Sequence, residues 1–376
     1  MDDKKILREI AAVFLKLGFI GFGGPAAHIA MMREEVVTKR KWFSEAHFLD
    51  LVGATNLIPG PNSTELAIHI GHEKGGWKGL LTAGICFIMP AVLITGIFAW
   101  LYRQYGQLPE VQPFIYGIKP AIIAIILGAV FPLARTSLKS VPLIVISLVV
   151  LAGALAGISE IYLMFGAGIS ALILAWLQNA GKRGFQSLIP LSLLTVPAPT
   201  FLSAANTGLF WIFLKIGAVL YGSGYVLFAF LDTELVATGL LSRQQLIDAI
   251  AVGQFTPGPV FSSVTFIGYQ INGFTGAIVS TLAIFLPSFV FVTLIAPVIR
   301  FLRGSQIFAA FLDAVNVASI ALIAAICIDM TAESLTGWRT VLIALASMAV
   351  AFGYRKLNSA FVVLGGSLLG YLLTII

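Results

Sequence analysis

Pro59-Gly60-Pro61 returns as Pro257-Gly258-Pro259, and the match extends in register along most of the chain. Phe14-Leu15-Lys16-Leu17-Gly18 meets Phe213-Leu214-Lys215-Ile216-Gly217 at an offset of 199, with Gly23 on Gly222 and Glu35 on Glu234. At 198, Ser44 meets Ser242 and Asp50 meets Asp248. At 197, Gly71 meets Gly268, Gly76 meets Gly273, Gly79 meets Gly276 and Pro90 meets Pro287. Two one-residue gaps account for the drift. Apolar identities come cheaply in a chain that is 59% hydrophobic, but Lys, Glu, Asp and a whole Pro-Gly-Pro in register do not. The chain is a duplication, and any fold it adopts must contain two related halves.

Only 11% of the 376 residues are charged, against roughly 25% in a soluble domain. Apolar runs at 121–133, 141–157 and 341–352 recur among others of similar character. They read as an all-α polytopic membrane protein. Each half carries six apolar segments, near 10–32, 48–70, 78–101, 114–134, 141–157 and 161–178, then 208–231, 246–268, 275–299, 307–328, 338–353 and 358–375. The division is a first repeat over 1–183, a linker with an extra span over 184–207, and a second repeat over 208–376. Cys86 and Cys327 lie in apolar segments, away from any second ligand. That spacing argues against a disulfide framework or a metal site, and no cofactor is expected. The net charge of +6 sits mostly in short loops, where it orients the chain in the bilayer and gives no nucleic-acid signal.

Loop charge sets the expected topology. Arg135, Lys139, Lys182, Arg183, Arg300, Arg303, Arg355 and Lys356 belong inside, and the Lys- and Arg-free loops near 158–160, 202–207 and 269–273 belong outside. A cytoplasmic N-terminus, a crossing at 186–201 and an outside C-terminus satisfy these, and make the repeat inverted. Arg33, Lys39, Arg40 and Lys41 lie outside if every segment crosses and inside if the first two segments of each half are re-entrant hairpins, the reading preferred here over full crossings. Both carry a central breaker, and each arm is about 15 Å of helix, half the hydrocarbon thickness.

The breaks are where chemistry is expected. Pro59 and Pro61 lack an N–H, so one helix ends before the turn and another starts after it. Asn62, Ser63 and Thr64 in the first half, and Ser262 and Ser263 in the second, are helix-starting donors. Helix N-termini attract anions. Glycines at Gly23, Gly24, Gly222 and Gly224 admit close backbone approach. The expected small-anion site near the midplane therefore gathers Gly23, Gly24, Pro25, Asn56, Pro59, Gly60, Pro61, Asn62, Ser63 and Thr64 with Gly222, Ser223, Gly224, Gln254, Thr256, Pro257, Gly258, Pro259, Ser262 and Ser263. Lys16 and Lys215, at equivalent positions, are expected to face the anion. The competing reading has them snorkel to the interface or pair with a carboxylate, and Glu35 and Glu234 read as structural partners of basic residues or as hairpin-end charges. Glu65 opposite Ser263, and Lys119 opposite Asn316, are candidates for ion coupling. His28, His47, His69 and His72 read as loop or packing residues.

Gly21-Phe22-Gly23-Gly24-Pro25, Trp42, Asp50 and the two Pro-Gly-Pro turns, in this order and spacing, resemble the long two-domain members of the chromate ion transporter family. The resemblance implies a multi-pass protein of the bacterial inner membrane that exports chromate, with sulfate as a related substrate. It also implies an odd number of spans and halves of opposite orientation. The second half departs from the pattern at Gly222-Ser223-Gly224, where no proline follows, and no Trp matches Trp42. The partners expected are a tetrahedral oxyanion and the bilayer, with a homodimer as an allowed assembly. Two other classes stay open from sequence: a pyrophosphate-lipid phosphatase with inverted hairpins, for which Arg33-Glu34-Glu35 is the nearest acidic cluster, and an anion channel.

Overall fold

A computed structural model describes residues 3–179, 204–222, 224–295, 306–354 and 358–375. The expected span at 186–201 and the expected site residue Ser223 lie outside them. The described residues are helical throughout, with no strand.

The first half runs α1 (Asp3–Ile20), α2 (Gly24–Arg33), α3 (Glu45–Thr55), α4 (Asn62–Tyr105), α5 (Gln112–Ser137), α6 (Val141–Leu155) and α7 (Glu160–Asn179). The second runs α8 (Ala204–Val219), α9 (Val226–Leu231), α10 (Arg243–Phe255), α11 (Ser263–Ile295), α12 (Gln306–Ser334), α13 (Trp338–Gly353) and α14 (Ser359–Ile375). A π-helical turn extends α2 over Glu34–Lys39 and α9 over Asp232–Val236, so even this irregularity is repeated.

Helix α4 is two helices joined at a kink. Gly76 has φ 59° and ψ −153°, and its repeat mate Gly273 in α11 has φ 61° and ψ −149°. Only glycine adopts this backbone without strain. The short arm before each kink folds back on the long helix after it. Gly71 packs on Gly79 and Gly268 on Gly276, so closely that a Cβ at any of the four would strike the opposite backbone carbonyl. Without a hydrophobic drive between helices in lipid, small residues allow this close van der Waals contact.

The first two segments of each half re-enter. On one face, a Cβ at Gly75 would lie 3.0 Å from Ile10, the Lys74 ammonium sits 5.1 Å from the Trp42 ring centre, and His47 lies 3.7 Å from Glu73. The start of α1, the 33–47 connection and the α4 kink therefore share one face, called here the near face. Two full crossings would have separated the last two. On the far face, Asn272 bonds Asn206 at 2.7 Å, Arg103 lies 5.9 Å from the Tyr269 ring centre, and Arg243 pairs with Glu333 at 3.0 Å. The start of α8, the 232–243 connection and the α11 kink share that face with the end of α4. The second half thus repeats the first upside down.

The halves interlock. Helices α4 and α11 pack together at the centre, with α1 against α4 and α8 against α11. Helix α5 is flanked by α13 and α14 of the other half, and its mate α12 by α6 and α7. Neither half has a complete core alone.

Cysteine placed at exposed Thr38 and at exposed Gly239 tests this topology. The two will react with a membrane-impermeant maleimide from opposite sides. Labelling of both from one side would rule out inverted hairpins.

Candidate functional site at the crossed turns

The two Pro-Gly-Pro turns are held by each other's half. The Gly60 N–H donates to Leu220 O at 2.7 Å, and the Gly258 N–H donates to Gly21 O at 2.7 Å. Leu220 and Gly21 are repeat mates at the break ending α8 and α1. Each turn therefore caps a carbonyl that its own broken helix leaves without an intrahelical donor. Gly60 and Gly258 have φ 131° and 86°, open to glycine and strained for other residues. A Cβ on Gly258 would lie 2.8 Å from Ala91 Cβ, and one on Gly60 would strike Glu65 and lie 2.9 Å from Ser288 Oγ. Ala91 and Ser288 are again repeat mates, each on the opposite half's long helix.

Helix starts lie just past the turns. Pro61 at the head of α4 and Pro259 at the head of the 3-10 turn into α11 supply no side-chain cap. Ser63, Thr64, Glu65, Ser262 and Ser263 are each 0–2% exposed. Ser262 Oγ lies 3.4 Å from Thr95 Oγ1, which donates at 3.5 Å to Thr256 Oγ1. Across the first turn, Asn62 Nδ2 donates to Asn56 Oδ1 at 2.8 Å. Tyr225 donates to Gln254 Oε1 at 3.4 Å. Thr64 Oγ1, Ser263 Oγ, Gln254 Nε2 and Glu65 Oε2 are buried and have no hydrogen-bond partner among the described residues. An unmade buried hydrogen bond costs about 1–3 kcal/mol. Four such atoms flank the two turns, which makes this region the candidate site.

The glycine breaks adjoin this region. Gly23 and Gly222, repeat mates, have φ 101° and 94°. A Cβ at Gly222 would lie 2.9 Å from Ser319 Oγ, which itself donates to Tyr221 O at 2.9 Å. At Gly24 a Cβ would meet open space. Pro25 occupies the first turn of α2, where a missing N–H costs nothing.

Lys16 and Lys215 take the carboxylate-paired arrangement. Lys16 Nζ lies 2.7 Å from Glu35 Oε1, and Lys215 Nζ 2.6 Å from Glu234 Oε1. Glu35 also receives Lys39 at 3.2 Å and Arg40 at 3.0 Å. The Lys16 ammonium is the largest influence holding the Glu35 carboxyl below its usual range. The long lysine stems run along apolar helix and deliver their heads to the hairpin ends. A charge stranded in lipid would cost more than reaching a partner 19 residues away. Lys215→Gln will therefore lower the thermal midpoint, and a cycle with Glu234→Gln will show a coupling of about 0.5–3 kcal/mol. Affinity for an oxyanion will stay at the parent value. Loss of affinity in both Lys16→Gln and Lys215→Gln would return the lysines to the anion site.

His28 is the residue the sequence reading passed over. It is 1% exposed. Its Nε2 lies 2.9 Å from Gly21 O and its Nδ1 3.1 Å from Ser63 Oγ. A carbonyl only accepts, so Nε2 carries the proton and Nδ1 accepts from the serine. His28 thus ties the first break to the helix start after the first turn, and shares Gly21 O with Gly258. It has no repeat mate, and the sequence carried no signal for this role. Thr95 and Ser288 were missed for the same reason, since only the fold carries them to the opposite half's turn. Arg33-Glu34-Glu35 is engaged at the hairpin end, Arg33 with Glu45 at 2.6 Å and Glu34 with Lys39 at 3.8 Å. Lys119 lies elsewhere, beside Asp248.

Two inverted, interlocked repeats, each with a turn that caps the other's broken helix, define a multi-pass, all-helical membrane protein. The chain belongs to the chromate transporter family, whose pattern it matches twice, over residues 8–172 and 207–371. It is 31% identical to a chromate transport protein of Cupriavidus metallidurans, over 97% of this chain and 92% of that one. A probable chromate transport protein of Synechococcus elongatus is 31% identical over 93% and 91%, and a chromate transport protein of Pseudomonas aeruginosa 30% over 97% and 92%. No solved structure matches the chain.

Proposed function

We propose that this protein exports chromate, with sulfate as a related substrate, through an oxyanion site formed by the two Pro-Gly-Pro turns. The observation that carries this is the set of buried donors without partners, Thr64 Oγ1, Ser263 Oγ and Gln254 Nε2, beside helix starts without side-chain caps. A dehydrated tetrahedral anion needs oriented hydrogen-bond donors, and charge-assisted bonds are the strong ones. Glu65 Oε2, an acceptor when ionised, is of no use to a bare dianion and is assigned to a coupling ion. The names of the relatives supply the substrate class.

The turns are packed shut, so an anion reaches them only when the halves part. Motion of this kind supports a carrier over an open channel. Direction follows from charge and field. The near face carries Lys4, Lys5, Arg33, Lys39, Arg40, Lys41, Lys74 and Lys78, so the near face is cytoplasmic. This supports a multi-pass protein of the bacterial inner membrane with the N-terminus inside and the C-terminus outside. A dianion leaving a negative interior gains about 4.6 kcal/mol per 100 mV, more than three decades of concentration.

Labelled chromate and sulfate flux in proteoliposomes under an imposed potential tests this, with and without a pH gradient. Chromate will move toward the positive compartment, saturably, without phosphate release from a pyrophosphate-lipid. Flux that never saturates would make the protein a channel, and no flux of either anion would overturn the reading.

A further inference from the structure

Away from the turns, α4, α5 and α10 enclose a cavity of about 260 Å³ at the far face. Its wall includes Tyr102, Gln107, Gln112, Lys119, Gln244 and Asp248. Lys119 has no hydrogen bond or salt bridge among the described residues, and it shares the cavity wall with Asp248. Asp248 is 4% exposed. It accepts from Tyr102 Oη at 2.6 Å and from Gln244 Nε2 at 3.1 Å to Oδ1 and 3.0 Å to Oδ2. A carboxylate has about four lone-pair positions. Three are used, and the one left is on Oδ1.

The cavity therefore offers the Lys119 ammonium, the Gln107 amide and one unsatisfied carboxylate position, while the amides of Gln112 and Gln244 already donate to Gly106 O at 2.6 Å and to Asp248. Ammonium and amide N–H groups suit an oxyanion. The carboxylate repels an anion that has lost every proton, and accepts a hydrogen bond from one that keeps a proton. We propose that the Lys119–Asp248 cavity is a far-face docking site for tetrahedral oxyanions that carry an acid proton, distinct from the Pro-Gly-Pro site. The Lys119 charge is not duplicated, because its repeat mate is Asn316, so the near face has no equivalent of this charge. Its place on a transport path rests on the transport reading, while its binding chemistry does not.

The test uses the full-length protein purified in detergent. Inorganic phosphate keeps a proton at neutral pH and sulfate keeps none. Calorimetric titration will show phosphate binding at least about tenfold tighter than sulfate. Lys119→Gln will weaken phosphate by about ten- to hundredfold, the loss of one charge-assisted bond. Asp248→Asn will close most of the phosphate–sulfate gap, because the amide can donate to sulfate. Should Asp248→Asn fail to fold, Gln112→Leu removes a rim amide together with its bond to Gly106 O, without touching the bonds of Asp248, and it too will weaken phosphate. Equal binding of phosphate and sulfate by the parent overturns the proposal. So does an absence of phosphate binding, an unchanged gap in folded Asp248→Asn, or unaltered phosphate binding in both Lys119→Gln and Gln112→Leu. Absent chromate flux with these titrations intact would sink the transport reading alone.

Discussion

Ser63→Ala combined with Thr64→Val will weaken chromate binding by about ten- to hundredfold per hydroxyl engaged, and Ser262→Ala with Ser263→Ala will do the same. Each pair removes hydroxyls and keeps the turn. The two pairs lie on opposite halves, yet the crossed bonds Gly60 to Leu220 and Gly258 to Gly21 bring the turns into one region. Both pairs should therefore weaken a single binding event. Two contributions will separate within each pair. Thr64 Oγ1 and Ser263 Oγ have no partner to lose in the closed protein. Ser63 also serves His28, and Ser262 serves Thr95. The single changes Thr64→Val and Ser263→Ala will thus cost affinity with little effect on stability, while Ser63→Ala will cost both. Equilibrium binding of chromate beside a thermal melt reads the difference. If both double variants bind and move chromate like the parent, the anion path lies elsewhere.

Gly258→Ala will reduce chromate flux by more than about tenfold, since a side chain at a strained backbone position costs about 1–3 kcal/mol and a steric conflict adds to it. The new Cβ meets Ala91 Cβ at 2.8 Å on the opposite half's long helix. That contact lies beside the Gly258 to Gly21 hydrogen bond, so the two halves can no longer close as they do. A general folding failure would look similar in a flux assay. Ala91→Gly removes the obstructing methyl and leaves the φ of residue 258 unchanged. The Gly258→Ala, Ala91→Gly pair will therefore recover part of the flux, with size-exclusion profiles matching the parent. Full activity in Gly258→Ala would show that the turn tolerates a side chain and that its glycine is not required for closure.

The repeated Pro-Gly-Pro turns, the glycine breaks and the loop charges made the duplication, the all-helical class and the re-entrant hairpins legible before any coordinates. These are local and periodic properties. A missing N–H ends a helix wherever it occurs, and a basic loop prefers one face of a membrane whatever its neighbours do. The lysines show where such reading stops. Lys16 and Lys215 stand out in apolar runs, but whether they meet an anion or a glutamate depends on the direction of the returning helix. The structure puts Glu35 and Glu234 within 2.7 Å of them.

The proposed site divides along the same line. The helix starts and hydroxyls assigned to it are read from sequence because capping and dipole effects act within one turn. His28, Thr95, Ser288 and the Lys119–Asp248 cavity were not, because their partners lie far away in sequence. Thr95 reaches Ser262 across 167 positions and Ser288 reaches Glu65 across 223. By itself the sequence determined that two half-proteins with broken helices would insert in opposite directions. Only the tertiary structure decided that each half's turn caps the other half's break. Contacts between distant residues are fixed by how helices pack in three dimensions, and no local pattern along the chain encodes them.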